Sequence, residues 1–330
     1  MLGRLVNETI ARRGFVYPWG DTLPLLHQAD AVCINLECAL THHTARWAGD
    51  PRKPFFFRGD PKVVETLRLG RVRFAALANN HIADFGVDGL LETVAVLDGA
   101  GIAHAGAGAD VESARAPAVL SVRGCDVAIV ALADYPKAWC ATDSAPGMCF
   151  TPISLEPQYF GWVEDTVARA RAVADFVIVS MHWGPNMRLR PPPMFQDFAH
   201  RVIAAGADVF WGHSAHLLQA IELVDGRPIL YDTGDFIDDY VVHPALRNDL
   251  TALFLLRVNP PVVERVMIAP MLIDHMQVNR AAGTARGLVV SRLKELCAEV
   301  GTTLEETGDG LLVRPDTALA RPPVLEAYPR

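Results

Sequence analysis

Short apolar runs that alternate with amphipathic patterns are the feature that most constrains how this chain folds. Runs rich in Val, Ile, Leu and Phe predict strands that end near Leu36, Leu77, Leu132, Ser180, Trp211 and Tyr231. Helices are predicted near residues 87–97, 157–174, 193–205 and 286–299. Strands that are apolar throughout and are separated by helices are typical of an α/β sheet buried on both faces.

The pattern changes after about residue 250, where strands follow one another without an intervening helix. Thr251–Val258 and Val262–Ile268 predict two consecutive strands, and Leu311–Val313 predicts a short one near the end. We interpret this part as a second sheet that packs on the first, so that residues 1–313 form a single domain. The proline-rich residues 314–330 predict an extended C-terminal tail.

Clusters of polar residues come directly after several of the apolar runs. They contain Asn35 with Glu37, Asn79 with Asn80 and His81, His182, and His213 with His216. Taken singly, each has a structural alternative, such as an Asn that caps a helix or a histidine satisfied within the core. Because α/β sheets bind ligands at the carboxyl ends of their strands, we expect the clusters to meet at one edge. Their nitrogen and oxygen atoms suit one or two divalent transition-metal ions, Mn, Fe or Zn.

Charged residues near these clusters complete the predicted site. Glu37 brings the negative charge that a divalent cation requires. Arg188 and Arg190 can clamp an anionic substrate, and we assign them to substrate binding together with Trp183. The candidates for acid–base catalysis are His81, His182, His216 and Asp235.

Composition and missing motifs exclude several classes of protein. The formal net charge of −8 argues against a nucleic acid or an anionic membrane surface as a partner. No apolar stretch reaches the roughly 18 residues of a membrane span, and no signal-peptide pattern opens the sequence. For the sequence as given, we therefore expect a cytoplasmic location. The sequence also lacks the G-x-S-x-G, P-loop and H-E-x-x-H motifs of other hydrolases and nucleotide-binding proteins.

Several short motifs occur here in the same order as in one known family. They are Asn35-Leu36-Glu37, Leu77-Ala78-Asn79-Asn80-His81 with Asp84 and Gly86, His182-Trp183-Gly184, Gly206-Ala207-Asp208, Gly212-His213 with His216, and Gly234-Asp235-Phe236. In these motifs the chain resembles the CapA family of capsule and poly-γ-glutamate biosynthesis. The resemblance implies a calcineurin-like metallophosphatase fold, an αββα sandwich of two mixed sheets flanked by helices. It also implies metal-site positions for Asn80, His81, His182, His213 and His216, with Glu37 as an acidic residue of the site.

Two departures from the family pattern affect the predicted site. The family usually opens with a strand that ends Gly-Asp-x-Met-Leu-Gly-Arg, whereas this sequence begins at Met1-Leu2-Gly3-Arg4. We therefore expect either that the first strand and its Asp ligand lie upstream of this start or that the site is incomplete. The last motif usually reads Gly-Asn-Phe, so Asp235 adds a carboxylate. Family members are often membrane-anchored, and this sequence shows no anchor.

Three functions are compatible with these residues. The first is a metal-dependent hydrolase of a phosphoester or amide bond in capsule, poly-γ-glutamate or peptide metabolism. The second is a metal-independent epimerase of a natural-product pathway, in which His and Asp act as acid and base at a peptide Cα. The third is a non-catalytic component of capsule assembly. The expected partner is a small molecule, a peptide or an anionic polymer of the poly-γ-glutamate type, and the oligomeric state is left open.

Overall fold

The computed structural model describes residues 1–316, which form a mixed α/β fold with several sheets. The strands are β1 (Val32–Asn35), β2 (Ala39–Leu40), β3 (Arg58–Gly59), β4 (Val72–Ala76), β5 (Ala103–Ala105), β6 (Ala107–Gly108), β7 (Ala118–Val122), β8 (Cys125–Ala133), β9 (Gly147–Met148), β10 (Phe176–His182), β11 (Val209–His213), β12 (Ile221–Val224), β13 (Arg227–Leu230), β14 (Leu250–Asn259), β15 (Val262–Asp274), β16 (Gln277–Arg280), β17 (Glu305–Thr307) and β18 (Gly310–Val313). The α-helices are α1 (Arg4–Arg13), α2 (Leu23–Leu26), α3 (Val64–Leu69), α4 (Gly86–Ala100), α5 (Val111–Arg115), α6 (Pro157–Val173), α7 (Pro193–Ala204) and α8 (Gly283–Glu299). Short 3₁₀ helices cover Tyr17–Thr22, Pro61–Val63 and Lys137–Trp139.

A small parallel sheet with the order β1-β4-β5 carries the first two polar clusters. Parallel strands need crossover connections, and α3 and α4 lie in the two connections of this sheet. Asn35, the last residue of β1, pairs with Ala76, the last residue of β4. The segments that follow these two strands therefore leave the sheet side by side.

The largest sheet has the order β12-β13-β11-β10-β8-β7, and its central strands β13, β11, β10 and β8 are parallel. Helices α6 and α7 cover one face, where Val163 and Phe198 pack in one core with Val179 and Phe210 of the sheet. Because side chains alternate along a strand, His182 and the other residues out of phase with Val179 point to the opposite face. That face receives the polar residues of the candidate site.

A third, antiparallel sheet follows in the chain, as the sequence predicted for residues after 250. Its order is β14-β15-β18-β17, and β16 pairs with residues 271–274 at the end of β15. Residues of this sheet share a core with α8 and with the large sheet, as Ile268, Leu293 and Val209 do. The predicted α/β class is therefore confirmed.

Most predicted elements agree with the structure, and two strand ends differ in an informative way. Strands β10 and β11 were predicted to end at Ser180 and Trp211, but they continue to His182 and His213. The pairing between the two strands continues through these residues, so sheet hydrogen bonds hold both histidines. They are strand residues rather than loop residues, and their backbone positions are correspondingly fixed.

Residues far apart in the described chain pack into one core, in which Leu2 and Val6 lie with Met271 and Val278. The single domain over residues 1–313 stays a prediction. An extended C-terminal tail was predicted for residues 314–330. Residues 317–330 of this tail lie outside the described residues. Across residues 1–316, no helix combines the length and the apolar composition needed to cross a membrane.

A buried ion pair ties α6 to the large sheet, and its removal should destabilise the protein. Asp208 is 1 % exposed, accepts a hydrogen bond from Val177 N at 2.8 Å and pairs with Arg171. We expect Arg171→Met to lower the free energy of unfolding by about 3 kcal/mol, because the carboxylate stays buried without its cation. Arg201→Met is the matched control, since Arg201 pairs with Glu164 at the surface and should contribute at most about 1 kcal/mol. Urea unfolding measures both, and equal effects would contradict the prediction.

Candidate functional site

Two histidines at the ends of β10 and β11 face each other. His182 and His213 are paired in register, and their Nδ1 atoms are 3.2 Å apart. The other ring nitrogen of His213, Nε2, lies 2.9 Å from Ser180 Oγ. Both histidines are buried. The sheet therefore holds two imidazoles with one nitrogen of each directed at the other.

Both of these imidazoles are neutral near pH 7. Burial lowers the pKa of His182 well below its usual range, and the charges of His213, His216 and His81 lower it further. Burial, with the charge of His216, lowers the pKa of His213 to about 3. A neutral imidazole has one ring nitrogen whose lone pair can accept a hydrogen bond or bind a metal ion.

The position of His213 depends on the glycine before it, which predicts a large effect of Gly212→Ala. A Cβ at Gly212 would lie 2.1 Å from the Tyr231 carbonyl oxygen and 2.7 Å from Trp183 Nε1. Because backbone has to move, we expect a loss of about 2–3 kcal/mol in the free energy of unfolding. The control is Gly161→Ala in α6, where a Cβ meets nothing within 4 Å and should stabilise the helix by up to about 1 kcal/mol. Thermal unfolding measures both, and wild-type stability of Gly212→Ala would refute the close packing.

The loop after β4 carries a third histidine, which an aspartate orients. His81 Nδ1 lies 2.7 Å from Asp84 Oδ2, and the same oxygen accepts a hydrogen bond from Phe57 N at 2.6 Å. The Lys53 ammonium lies 3.1 Å from Asp84 Oδ1 and donates to the Asn80 carbonyl at 2.8 Å. Since Asp84 is fully buried, this network fixes the ring of His81 and turns Nε2 away from the aspartate.

An amide and carboxylate network links the ends of β1 and β4. Asn79 Nδ2 donates to Asn35 Oδ1 at 3.1 Å and to the Leu36 carbonyl at 3.0 Å, and Asn35 Nδ2 donates to Glu37 Oε2 at 2.9 Å. Two buried oxygens, Glu37 Oε1 and Asn80 Oδ1, have no hydrogen-bond partner among residues 1–316. Helix α4 begins later and has no side-chain cap, so these asparagines are not its N-cap.

The fourth histidine forms a buried ion pair. His216 Nδ1 lies 2.8 Å from Asp235 Oδ1. Burial alone would lower the pKa of His216, but the charge and hydrogen bond of Asp235, with the charges of Glu37 and Asp232, raise it to about 10. Asp232 also accepts a hydrogen bond from Ala215 N at 2.7 Å, which holds the loop beside His216. His216 is therefore an imidazolium near pH 7, unlike His182 and His213.

Two aromatic rings connect His81 to His216. The Phe57 ring lies 4.5 Å from the His81 ring, centroid to centroid, and the Tyr240 ring lies 4.9 Å from the His216 ring. Phe57 and Tyr240 are themselves 5.8 Å apart and meet edge to face. The rings provide an apolar wall between the two histidines, which strengthens electrostatic interactions nearby.

The structure brings the predicted clusters together. The charges of His81, His216 and Lys53 all lower the pKa of His182, and the charge of Glu37 acts on His216. In the part of the chain that the structure describes, no three His, Cys, Asp or Glu side chains are arranged to hold a metal ion as they stand. The metal-binding roles of Glu37, Asn80, His81, His182, His213 and His216 stay predictions.

The residues assigned to substrate binding have different surroundings. Arg190 Nε donates to Glu299 of α8 at 2.7 Å, so this guanidinium is already paired at the surface. Trp183 is 3 % exposed, and its Nε1 donates to the Tyr231 carbonyl at 3.0 Å. Arg188 is exposed and borders a small cavity together with Trp183. Substrate contacts by these residues stay predictions, and the evident role of Trp183 is to pack the core beneath His182.

Sequence reasoning missed Lys53, Phe57 and Tyr240. The first two lie between β2 and β4, where no periodic pattern marks a buried segment. The available signal was Pro54-Phe55-Phe56-Phe57, because a run of aromatic residues in a loop indicates that the loop folds over something apolar. Tyr240 follows the acidic segment of the last motif, and nothing in its spacing marks it as a neighbour of His216.

The chain is similar in sequence to several known proteins. The model of the family described as "Bacterial capsule synthesis protein PGA_cap" matches residues 1–240. A probable polyglutamine synthesis accessory protein of Mycobacterium tuberculosis is 36 % identical over 311 residues, which cover 90 % of this chain and 80 % of that protein. The capsule biosynthesis protein CapA of Bacillus anthracis is 27 % identical over 241 residues, covering 72 % of this chain and 58 % of CapA. The family match covers more than half of the chain, and the chain therefore belongs to the bacterial capsule synthesis protein family PGA_cap.

Proposed function

We propose that this protein is a metal-dependent hydrolase that cleaves a phosphoester or amide bond in capsule or poly-γ-glutamate metabolism. The observation that carries the proposal is the pair of buried, neutral imidazoles of His182 and His213, whose Nδ1 atoms are 3.2 Å apart. The names of the relatives, a polyglutamine synthesis accessory protein and a capsule biosynthesis protein, support a polymer or peptide of glutamyl-type residues as the substrate class. The proposed architecture is the calcineurin-like αββα sandwich, supported by α6 and α7 outside one large sheet and α8 against the other.

Two ring nitrogens of the cluster have a spacing that suits a divalent transition-metal ion. Two nitrogens bound tetrahedrally at the usual zinc distance would be roughly 3.3 Å apart, close to the observed 3.2 Å. A buried polar oxygen is costly unless it has a partner, and Glu37 Oε1 and Asn80 Oδ1 have none among residues 1–316. His182, His213, Glu37 and Asn80 are therefore the proposed ligands. Such an ion, when bound, supplies Lewis-acid polarisation and lowers the pKa of a bound water to about 7.

The protein's own residues provide the proton transfers. His216 keeps its proton near pH 7 because Asp235 holds the charged form, so it can donate to a leaving group. His81 is fixed through Nδ1 by Asp84 and can exchange a proton through Nε2. Phe57 and Tyr240, which meet edge to face, place apolar ring surface between these two histidines.

Metal content and hydrolysis test this proposal together. Purified protein would be stripped with a chelator, reconstituted separately with Mn, Fe and Zn, and assayed with bis(4-nitrophenyl) phosphate and with γ-glutamyl anilides. We expect one or two ions per chain and turnover that disappears on chelation and returns with metal. Near-zero metal after reconstitution, or turnover that is unaffected by chelation, would refute metal-dependent hydrolysis.

A metal-independent epimerase is the second candidate, and the His216 ion pair favours it. One imidazole that stays charged lies beside others that stay neutral, and groups whose pKa values are pushed apart can serve as acid and base. Deuterium uptake at a peptide Cα in heavy water, by protein free of metal, would support this reaction. Absence of uptake with γ- and α-linked glutamyl peptides would retire it and, if no hydrolysis is found either, would favour a non-catalytic assembly component.

A further inference from the structure

The hydroxyl group of Tyr240 is a hydrogen-bond donor that the chemistry above does not use. Tyr240 is half-buried beside the candidate site, and its ring centroid lies 4.9 Å from that of His216. The hydroxyl forms no hydrogen bond within residues 1–316, and it remains open to solvent. A phenol is protonated near pH 7 and donates one hydrogen bond. This donor is therefore available to a molecule that enters the site.

Packing fixes the direction in which this hydroxyl points. The rings of Phe57 and Phe55 meet the Tyr240 ring edge to face, with centroids 5.8 and 6.5 Å away. His216 packs against the same ring, and the backbone N–H of Tyr240 donates to Asp238 Oδ1 at 2.9 Å. Neighbours on several sides therefore hold the phenol in place. A donor that is positioned in advance loses little freedom when it binds a ligand.

The charges around the hydroxyl indicate that it points into the site. Burial raises the pKa of Tyr240 above its usual range, and among the charges that raise it further, that of Glu37 has the largest effect. The charges of Asp238 and Asp239 have smaller effects, although both residues adjoin Tyr240 in sequence. Because the interaction of two charges falls with distance, the hydroxyl lies toward Glu37, a proposed metal ligand, rather than over its own loop.

The neighbours of the hydroxyl suit an oxygen that gains negative charge. His216, beside the Tyr240 ring, is an imidazolium near pH 7 and is bound to Asp235 through Nδ1, which leaves Nε2–H as its second donor. The two adjacent rings thus offer an N–H and an O–H donor. The aromatic surface of Phe57 strengthens electrostatic interactions nearby. One donor can serve the leaving atom of a substrate while the other binds an oxygen on the reacting centre.

We propose that Tyr240 is a further catalytic residue, whose hydroxyl donates a hydrogen bond to the phosphoryl or carbonyl oxygen of the substrate on which negative charge develops. Tyr240 forms no covalent bond and keeps its proton, while His216 protonates the leaving group. The kinetic consequence rests on the proposed hydrolase activity, whereas the binding of an anion tests the same contact without turnover.

Tyr240→Phe tests the inference, because it removes the hydroxyl and keeps the ring that packs on His216 and Phe57. With manganese-reconstituted protein and bis(4-nitrophenyl) phosphate, we expect kcat to fall by about 10²–10³-fold, the effect of removing one donor to a developing oxyanion. KM should change by less than about twofold, because the contact strengthens in the transition state, and the metal content should be that of wild type. Tyr159→Phe, on the exposed face of α6, is the matched control and should leave kcat unchanged.

Calorimetric titration with inorganic phosphate, whose oxygens carry more charge than those of the diester, separates this inference from the proposed hydrolysis. We expect Tyr240→Phe to bind phosphate at least about tenfold more weakly than wild type and Tyr159→Phe, because a hydrogen bond to a charged group is lost. If this difference is found and no substrate is hydrolysed, the hydrolase proposal fails and the anion contact of Tyr240 stands. Wild-type kcat and phosphate affinity in folded Tyr240→Phe would overturn the inference. Wild-type protein with neither turnover nor phosphate binding would also overturn it.

Discussion

His213→Ala is expected to remove bound metal and to lower kcat/KM for hydrolysis by more than about 100-fold. Loss of a residue that only hydrogen-bonds to a metal ligand already lowers metal affinity or activity by up to about 100-fold, and loss of the ligand itself should cost more. The reason is the position of His213, whose neutral ring faces His182 at 3.2 Å from the end of a central strand. The variant retains the apolar core on both sides of β11 and should fold. Steady-state kinetics together with elemental analysis measure the effect.

The matched control for this variant is His42→Ala. The His42 side chain is 71 % exposed and pairs with Glu92 at the surface, so its loss should leave metal content and turnover unchanged. Circular dichroism and thermal unfolding confirm that both variants are folded. Full turnover or full metal content in folded His213→Ala would show that the facing imidazoles of His182 and His213 only stabilise the core and do not bind metal.

Asp235→Asn is expected to lower turnover by about 10²–10⁴-fold, the range that a positioned acid or base contributes. The amide keeps the shape of Asp235 but not the charge that raises the pKa of His216 to about 10. In the metal-free protein, an NMR titration should find the pKa of His216 near 10 in wild type and several units lower in the variant. A smaller change in turnover, with an unchanged pKa of His216, would contradict this role.

The ion pair between His216 and Asp235 also predicts how the stability of the protein changes with pH. The folded-state pKa of His216 is raised above the unfolded value of about 6.5, so its stabilisation is fully present below that pH. The stabilisation is lost as the pH rises from about 6.5 through 10. Wild type should therefore be more stable than Asp235→Asn at pH 6, and the difference should shrink as the pH approaches 10. Urea unfolding at several pH values measures it.

The parts of the fold that the sequence predicted are those in which local pattern and tertiary structure agree. Helices α6 and α7 have an apolar stripe that the sheet covers, so their periodicity located them within one residue. Strand β15 was predicted to end at Ile268 but continues to Asp274. Pro270, a residue type that usually ends a strand, lies within it and stays paired with Ala252 of β14.

The candidate site was predictable where it lies at strand ends and not where loops complete it. His182 and His213 follow apolar runs of adjacent parallel strands, which must end at the same edge. Lys53 reaches Asp84 from a loop with little regular structure, and its position depends on stacking against Phe56 and Trp139. Such contacts join residues far apart in the chain without a repeating pattern, so one sequence alone does not reveal them.

Anomalous X-ray diffraction from crystals reconstituted with manganese tests the central claim most directly, because it locates the ion independently of any substrate. The proposal predicts a strong anomalous peak bonded to the Nδ1 atoms of His182 and His213, with Glu37 or Asn80 completing the coordination. A fully reconstituted crystal without a peak at these two rings, or with its manganese bound only elsewhere, would contradict it.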